Sequence, residues 1–69
     1  MTQQDRIMAY IHQFGSISPM EAFRDLGITK LATRVGEINR TTEFLIEGRY
    51  EETKNRFGEK VRYKRYRFV

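Results

Sequence analysis

The chain has 69 residues, a net charge of +4 and no cysteine. A length like that supports one small domain, and the missing cysteine excludes disulfides, thiolate metal sites and cysteine nucleophiles. No apolar run approaches the roughly 20 residues of a membrane span, and the opening MTQQDRIMAY lacks the basic-then-apolar pattern of a secretory signal. The expectation is therefore a soluble, cytoplasmic protein.

Gln3 to Phe14 predicts a first helix. Ile7, Ile11 and Phe14 recur at i, i+4 and i+7, with Met8 and Tyr10 beside them. Thr2 suits the N-cap, and Asp5 suits the positive end of the helix. Gly15 ends it. His12 is the only histidine; without other ligands near it, it reads as a surface or packing residue.

Ser16 to Ser18 is a short extended link, and Ile17 between two serines makes a minimal strand that a later hairpin can pair with. A second helix begins at Pro19, with Ser18 and Glu21 spaced as a capping box. Met20, Phe23 and Leu26 form its expected buried side, and Ala22 permits close packing. Gly27 supplies the left-handed stop. Ile28 plugs the turn, and Thr29 is the expected cap of a third helix ending near Arg40 or Thr41. On that helix Leu31, Val35 and Ile38 share one face. Lys30, Thr33, Arg34, Glu37 and Arg40 point elsewhere. Residues 18–40 thus read as a helix-turn-helix, with the later helix free to enter a DNA major groove.

From Glu43 the period changes. EFLIEGRYEET and KVRYKRYRFV alternate and are rich in β-branched and aromatic residues, as strands prefer. A step at Lys64–Arg65 predicts a bulge. Between the strands, Asn55 and Gly58 mark a hairpin turn. Glutamates such as Glu51 and Glu52 lie beside arginines and lysines, which predicts cross-strand charge pairing rather than an acid–base dyad. No nucleophile–base–orienter set and no glycine-rich phosphate loop is present. The expectation is a non-enzyme with no cofactor and no metal.

The order is α-β-α-α-β-β, an α+β fold, mainly α. It is the order of a winged helix-turn-helix: three helices plus a C-terminal β-hairpin wing over 43–69, in one domain of residues 1–69. Its expected core is Ile7, Ile11, Phe14, Ile17, Phe23, Leu26, Leu31, Val35, Ile38, Phe44 and Ile46, extended by Val61 and Tyr63. Charge is uneven along this order. Residues 1–29 carry two cations against three acids; residues 30–69 carry eleven against six. The second half is the half suited to a polyanion.

The stretch from Arg6 to Phe68 resembles the small winged helix-turn-helix domains of bacteriophages and prophages. The resemblance is carried by Arg6-Ile7, Gly15-Ser16-Ile17-Ser18-Pro19-Met20-Glu21-Ala22, Asp25-Leu26-Gly27-Ile28, Leu31-Ala32-Thr33-Arg34-Val35-Gly36-Glu37-Ile38 and the hairpin Lys54-Asn55-Arg56-Phe57-Gly58. Thr41-Thr42-Glu43-Phe44 departs from it, because such domains commonly enter the wing through a glycine-led turn. The resemblance implies a winged-helix fold and DNA binding in a bacterial host cell, in transcription or DNA handling.

On this reading Thr29, Lys30, Thr33, Arg34, Glu37 and Arg40 face the major groove. Arg34 is the expected guanine reader, because its fork matches two acceptors there. Lys54, Asn55, Arg56, Lys60, Arg62 and Lys64 face phosphates. Fold does not fix function, so the alternative is a module that binds another phage or host protein. A third reading is single-strand or RNA binding through Phe57 and the basic hairpin. The sequence also admits a homodimer in which Tyr66 to Val69 pairs with a second copy.

Overall fold

Thr2 and Ser18 each open a helix in the computed structural model, which describes all residues from Met1 to Val69. The Thr2 hydroxyl accepts from the Asp5 N–H at 3.1 Å, and Asp5 accepts from the Thr2 N–H at 3.2 Å. Ser18 and Glu21 make the same exchange at 3.2 and 2.9 Å. These boxes start α1 (Gln3–Phe14) and α2 (Pro19–Leu26), and each N-cap stabilises by about 1 kcal/mol. Gly15 at φ 91° and Gly27 at φ 69° close them in the left-handed region.

α3 (Leu31–Thr41) begins differently. Its cap position is Lys30, not the expected Thr29, and no side chain caps it. Ile28 sinks into the core, which leaves Thr29 exposed one residue too early to reach the first turn. The far end needs no glycine. The Thr41 hydroxyl donates to Glu37 O at 2.7 Å and the Thr42 hydroxyl to Ile38 O at 2.8 Å. Thr42 Oγ1 then accepts from the Phe44 N–H at 3.1 Å. The Thr42 N–H also donates to Ile38 O at 3.0 Å, so the two hydroxyls add second bonds to carbonyls of the last turn.

The hairpin pairs β1 (Ile46–Lys54) with β2 (Lys60–Phe68). Its register runs unbroken from Ile46 opposite Phe68 to Lys54 opposite Lys60. The bulge expected at Lys64–Arg65 is absent, and β1 starts later than Glu43 because Thr42 holds Phe44 in the turn. Ile17 is the minimal strand: it exchanges hydrogen bonds of 2.9 and 2.8 Å with Tyr66, which puts it outside β2.

One apolar cluster joins these parts: Ile7, Ile11, Ile17, Ala22, Ile28, Leu31, Val35, Ile38, Ile46 and Tyr66. Four expected members lie outside it: Leu26 packs against it half-buried, and Phe14, Phe23 and Phe44 are 62%, 59% and 55% exposed. The eight-residue α2 reaches the core fully only through Ala22, so Met20 and Phe23 face outward. Phe14 stacks on Tyr10 at 4.6 Å and Phe44 on Phe68 at 5.7 Å, each at the edge of the cluster. Val61 is exposed and Tyr63 half-buried, because unbroken alternation puts both on the face opposite Tyr66.

Candidate nucleic-acid interface

With Leu31, Val35 and Ile38 buried, the helical period decides what α3 shows on its other sides. Arg34 and Glu37 lie on the side next to α1 and are half-buried. Arg34 Nη1 donates to both Glu37 carboxylate oxygens at 2.9 and 3.0 Å, and its Nε donates to Gln3 Oε1 at 2.8 Å. Gln4 Nε2 donates to Glu37 Oε1 at 2.9 Å. Arg34 is the main reason the Glu37 carboxyl ionises below the usual range. The residue expected to read guanine is thus engaged within the fold. Arg34 and Glu37 are one turn apart, and the start of α1 passes beside them.

The open side of α3 is Ala32, Thr33 and Arg40, with the half-buried Gly36 between them. Arg40 folds over Gly36: a methyl group built there would stand 3.4 Å from Arg40 Nη1. Thr29 and Lys30 are exposed at the beginning of the helix. Neither a cap nor an acid covers the first-turn N–H groups of α3, whereas α1 and α2 each carry an acid there. A bare helix start of this kind attracts anions.

Cross-strand pairing sorts the wing into two faces. Lys54 opposite Lys60, Glu52 opposite Arg62 and Tyr50 opposite Lys64 share one face, which lower down becomes the core through Tyr66 and Ile46. Arg62 lies 4.6 Å and Lys64 5.3 Å from the Tyr50 ring centre, a double cation–π contact. The other face pairs its cations internally except for Arg67. Arg49 meets Glu47 at 3.3 Å, and Arg65 meets Glu51 at 2.8 Å and Glu21 at 2.9 Å. Asn55 and Arg56 stand at the tip, exposed.

The ion pairs divide the cations. Arg24, Arg34, Arg49 and Arg65 have carboxylate partners. Lys30, Arg40, Lys54, Arg56, Lys60, Arg62 and Lys64 have none, and neither do Arg6 and Arg67 elsewhere on the molecule. The unpaired set lies at the two ends of α3 and along one wing face with its tip.

The family model for the winged helix-turn-helix domain matches residues 2–69, nearly the whole chain. The chain belongs to this family. No curated protein matches it, and no solved structure does. In the terms of the winged helix-turn-helix, α2 and α3 are the helix-turn-helix unit and the β1–β2 hairpin is the wing. Tyr50 and Asn39 belong to this arrangement and carried no sequence signal. Tyr50 acquires its cations only once the register is known. Asn39 is one more polar residue on α3 until the strand comes beside it. No helix is long and apolar enough to cross a membrane.

Proposed function

We propose that this winged-helix chain binds double-stranded DNA, as a transcription regulator or DNA-handling factor of the phage and prophage kind, working in the bacterial cytoplasm and not as an enzyme. The observation that carries the reading is the division of cations. Seven of the nine unpaired ones gather on α3 and on one wing face with its tip, and Arg6 and Arg67 alone stand unpaired elsewhere. Counterion release rewards such a set on a polyanion.

A B-form major groove is about 12 Å wide and admits a helix. Ala32 and Gly36 are small, so the α3 backbone can come close to the bases, with Thr33 and Arg40 reaching base edges. Lys30 and the uncapped start of α3 take a phosphate. Lys54, Lys60, Arg62 and Lys64 follow the backbone and set register rather than sequence choice. Arg34 and Glu37 hold α3 against α1 and so set the angle at which it is presented.

Fluorescence anisotropy on a labelled duplex tests this. Arg40→Ala is expected to weaken binding by about 1–3 kcal/mol, and Arg24→Ala, which removes a cation already paired with Asp25, to leave it unchanged. Equal effects of the two variants contradict the assignment. A second reading, a module for a protein partner, is favoured by the exposure of Met20 and Phe23 on α2. Absence of duplex binding even at low salt selects it.

A further inference from the structure

The wing ends in a ring that nothing in the chain covers. Phe57 is 85% exposed, more than either terminal residue, Met1 at 82% or Val69 at 81%. It is held out by a tied turn. Asn55 Oδ1 accepts from the N–H groups of Phe57 at 2.9 Å and Glu59 at 3.0 Å. The Asn55 N–H donates to Glu59 O at 2.9 Å, and the Gly58 N–H to Asn55 O at 3.0 Å. Gly58 sits at φ 79°, a conformation only glycine adopts freely. Four hydrogen bonds therefore keep the ring from folding back onto the strands.

Cations stand near it along the chain, with one acid, Glu59, whose carboxylate accepts from Asn55 Nδ2 at 3.3 Å. Arg56 precedes it in the chain, and the last rung of the hairpin opposes Lys54 to Lys60. Like charges directly opposite repel, and neither lysine has a carboxylate partner. The tip thus offers one apolar plate on a tied turn, beside three cations without carboxylate partners. Its complement is an apolar slot flanked by anions, which is what two stacked base pairs between their phosphates provide. A run of unpaired bases needs successive rings to stack on. Here the Tyr50 ring is taken by Arg62 and Lys64, and Tyr66 is buried. One plate suits one opened step of a duplex.

We propose that Phe57 is a wedge: the wing tip enters the minor groove, and the ring slides between two base pairs and bends the duplex. Arg56, Lys54 and Lys60 hold the phosphates on either side. Apolar wedges of this kind kink DNA by roughly 20–90°. Pyrimidine–purine steps such as TA open most easily and are the preferred place. The inference rests on the duplex-binding reading and adds to it a deformation of the DNA that α3 alone does not require.

The test uses the full chain and an A·T-rich duplex of about 20–30 base pairs with central TA steps, labelled at its ends for energy transfer and carrying 2-aminopurine at one step. The wild-type protein is expected to shorten the end-to-end distance and to raise 2-aminopurine fluorescence. Phe57→Ala, at so exposed a position, keeps the wild-type circular dichroism. It still binds, about tenfold weaker or less, but leaves the duplex straight and the aminopurine quenched. Phe57→Leu, still an apolar plug, retains the bend. Wild-type binding without bending, or equal bending by Phe57→Ala, overturns the wedge and leaves groove binding standing. Phe57-dependent capture on phosphatidylserine vesicles, with no bending of the duplex, also overturns it and assigns the tip to an anionic membrane. Absence of any anisotropy change on the duplex at low salt overturns the duplex reading itself.

Discussion

Asn39 is joined to Ile46 as one strand is joined to the next. Its side-chain amide donates to Ile46 O at 3.0 Å, and its side-chain oxygen accepts from the Ile46 N–H at 2.8 Å. The root of β1 is thereby fixed to the last turn of α3, so the helix and the wing are presented at one angle. Asn39→Ala leaves a half-buried N–H and C=O without partners, which costs about 1–3 kcal/mol. Urea unfolding is expected to show that loss. Duplex affinity measured where the variant is still folded should fall as well, because α3 and the wing no longer move as one body.

Two glycines predict opposite outcomes for the same substitution. Gly48 lies opposite Tyr66, and a methyl group there would stand 2.9 Å from Tyr66 Cε1 and 2.9 Å from Lys64 Cε. The buried Tyr66 ring has nowhere to go, so Gly48→Ala is expected to destabilise by about 1–3 kcal/mol. Gly36 meets only the far end of Arg40 at 3.4 Å, which moves aside easily. Gly36→Ala is therefore expected to stabilise α3 by about 0.5–1 kcal/mol and at the same time to weaken duplex binding, since it thickens the groove-facing side. Thermal melts and anisotropy on the two variants separate the effects. Tighter binding by Gly36→Ala would contradict the placement of α3.

Asp25 ties the end of α2 to α1, and this tie depends on pH. Its carboxylate accepts from Arg24 at 2.9 and 3.2 Å and from the Tyr10 hydroxyl at 2.7 Å. The Arg24 bond first, then the Tyr10 bond, lower its pKa from 3.8 to about 2. A depressed carboxyl contributes stability that is complete above 3.8 and is lost as pH falls through about 2. Asp25→Asn should be less stable than wild type near neutrality and should flatten the acid limb of a plot of Tm against pH over that window. The same bond raises the Tyr10 pKa, so the hydroxyl stays protonated further into alkali.

Where a single residue type permits one local geometry, the fold is legible in the sequence. The Ser18–Glu21 spacing, the left-handed glycines 15 and 27, and the isoleucine stripe of α1 all stand as expected. Burial of aromatics was less legible. Phe23 faces outward and Phe14 and Phe44 stop at the edge, because five fully buried isoleucines already fill the small interior. The strand phase beyond Tyr66 was misread for a related reason. Val61 and Tyr63 look inward-facing by hydrophobicity, yet the wing projects past the helices, and no core remains there to decide which face is inside. Unbroken register instead carries Lys64, Arg62 and Lys60 along the core side of the ribbon. Within the site, the exposed cations were legible as charges. The capture of Arg34 by Gln3 was not, because it joins residues 31 positions apart.

The central claim is that the unpaired cations of the wing meet phosphates, and the salt dependence of duplex association tests it most directly. If Lys54, Lys60, Arg62 and Lys64 each neutralise one phosphate, log K falls against log salt with a slope of about −3.6 from these four alone. Converting Lys54 and Lys60 to alanine should reduce the slope by about 1.8, and Arg49→Ala, on the opposite face and paired with Glu47, should leave it unchanged. Identical slopes for all three proteins, or no association at the lowest salt, would contradict the account.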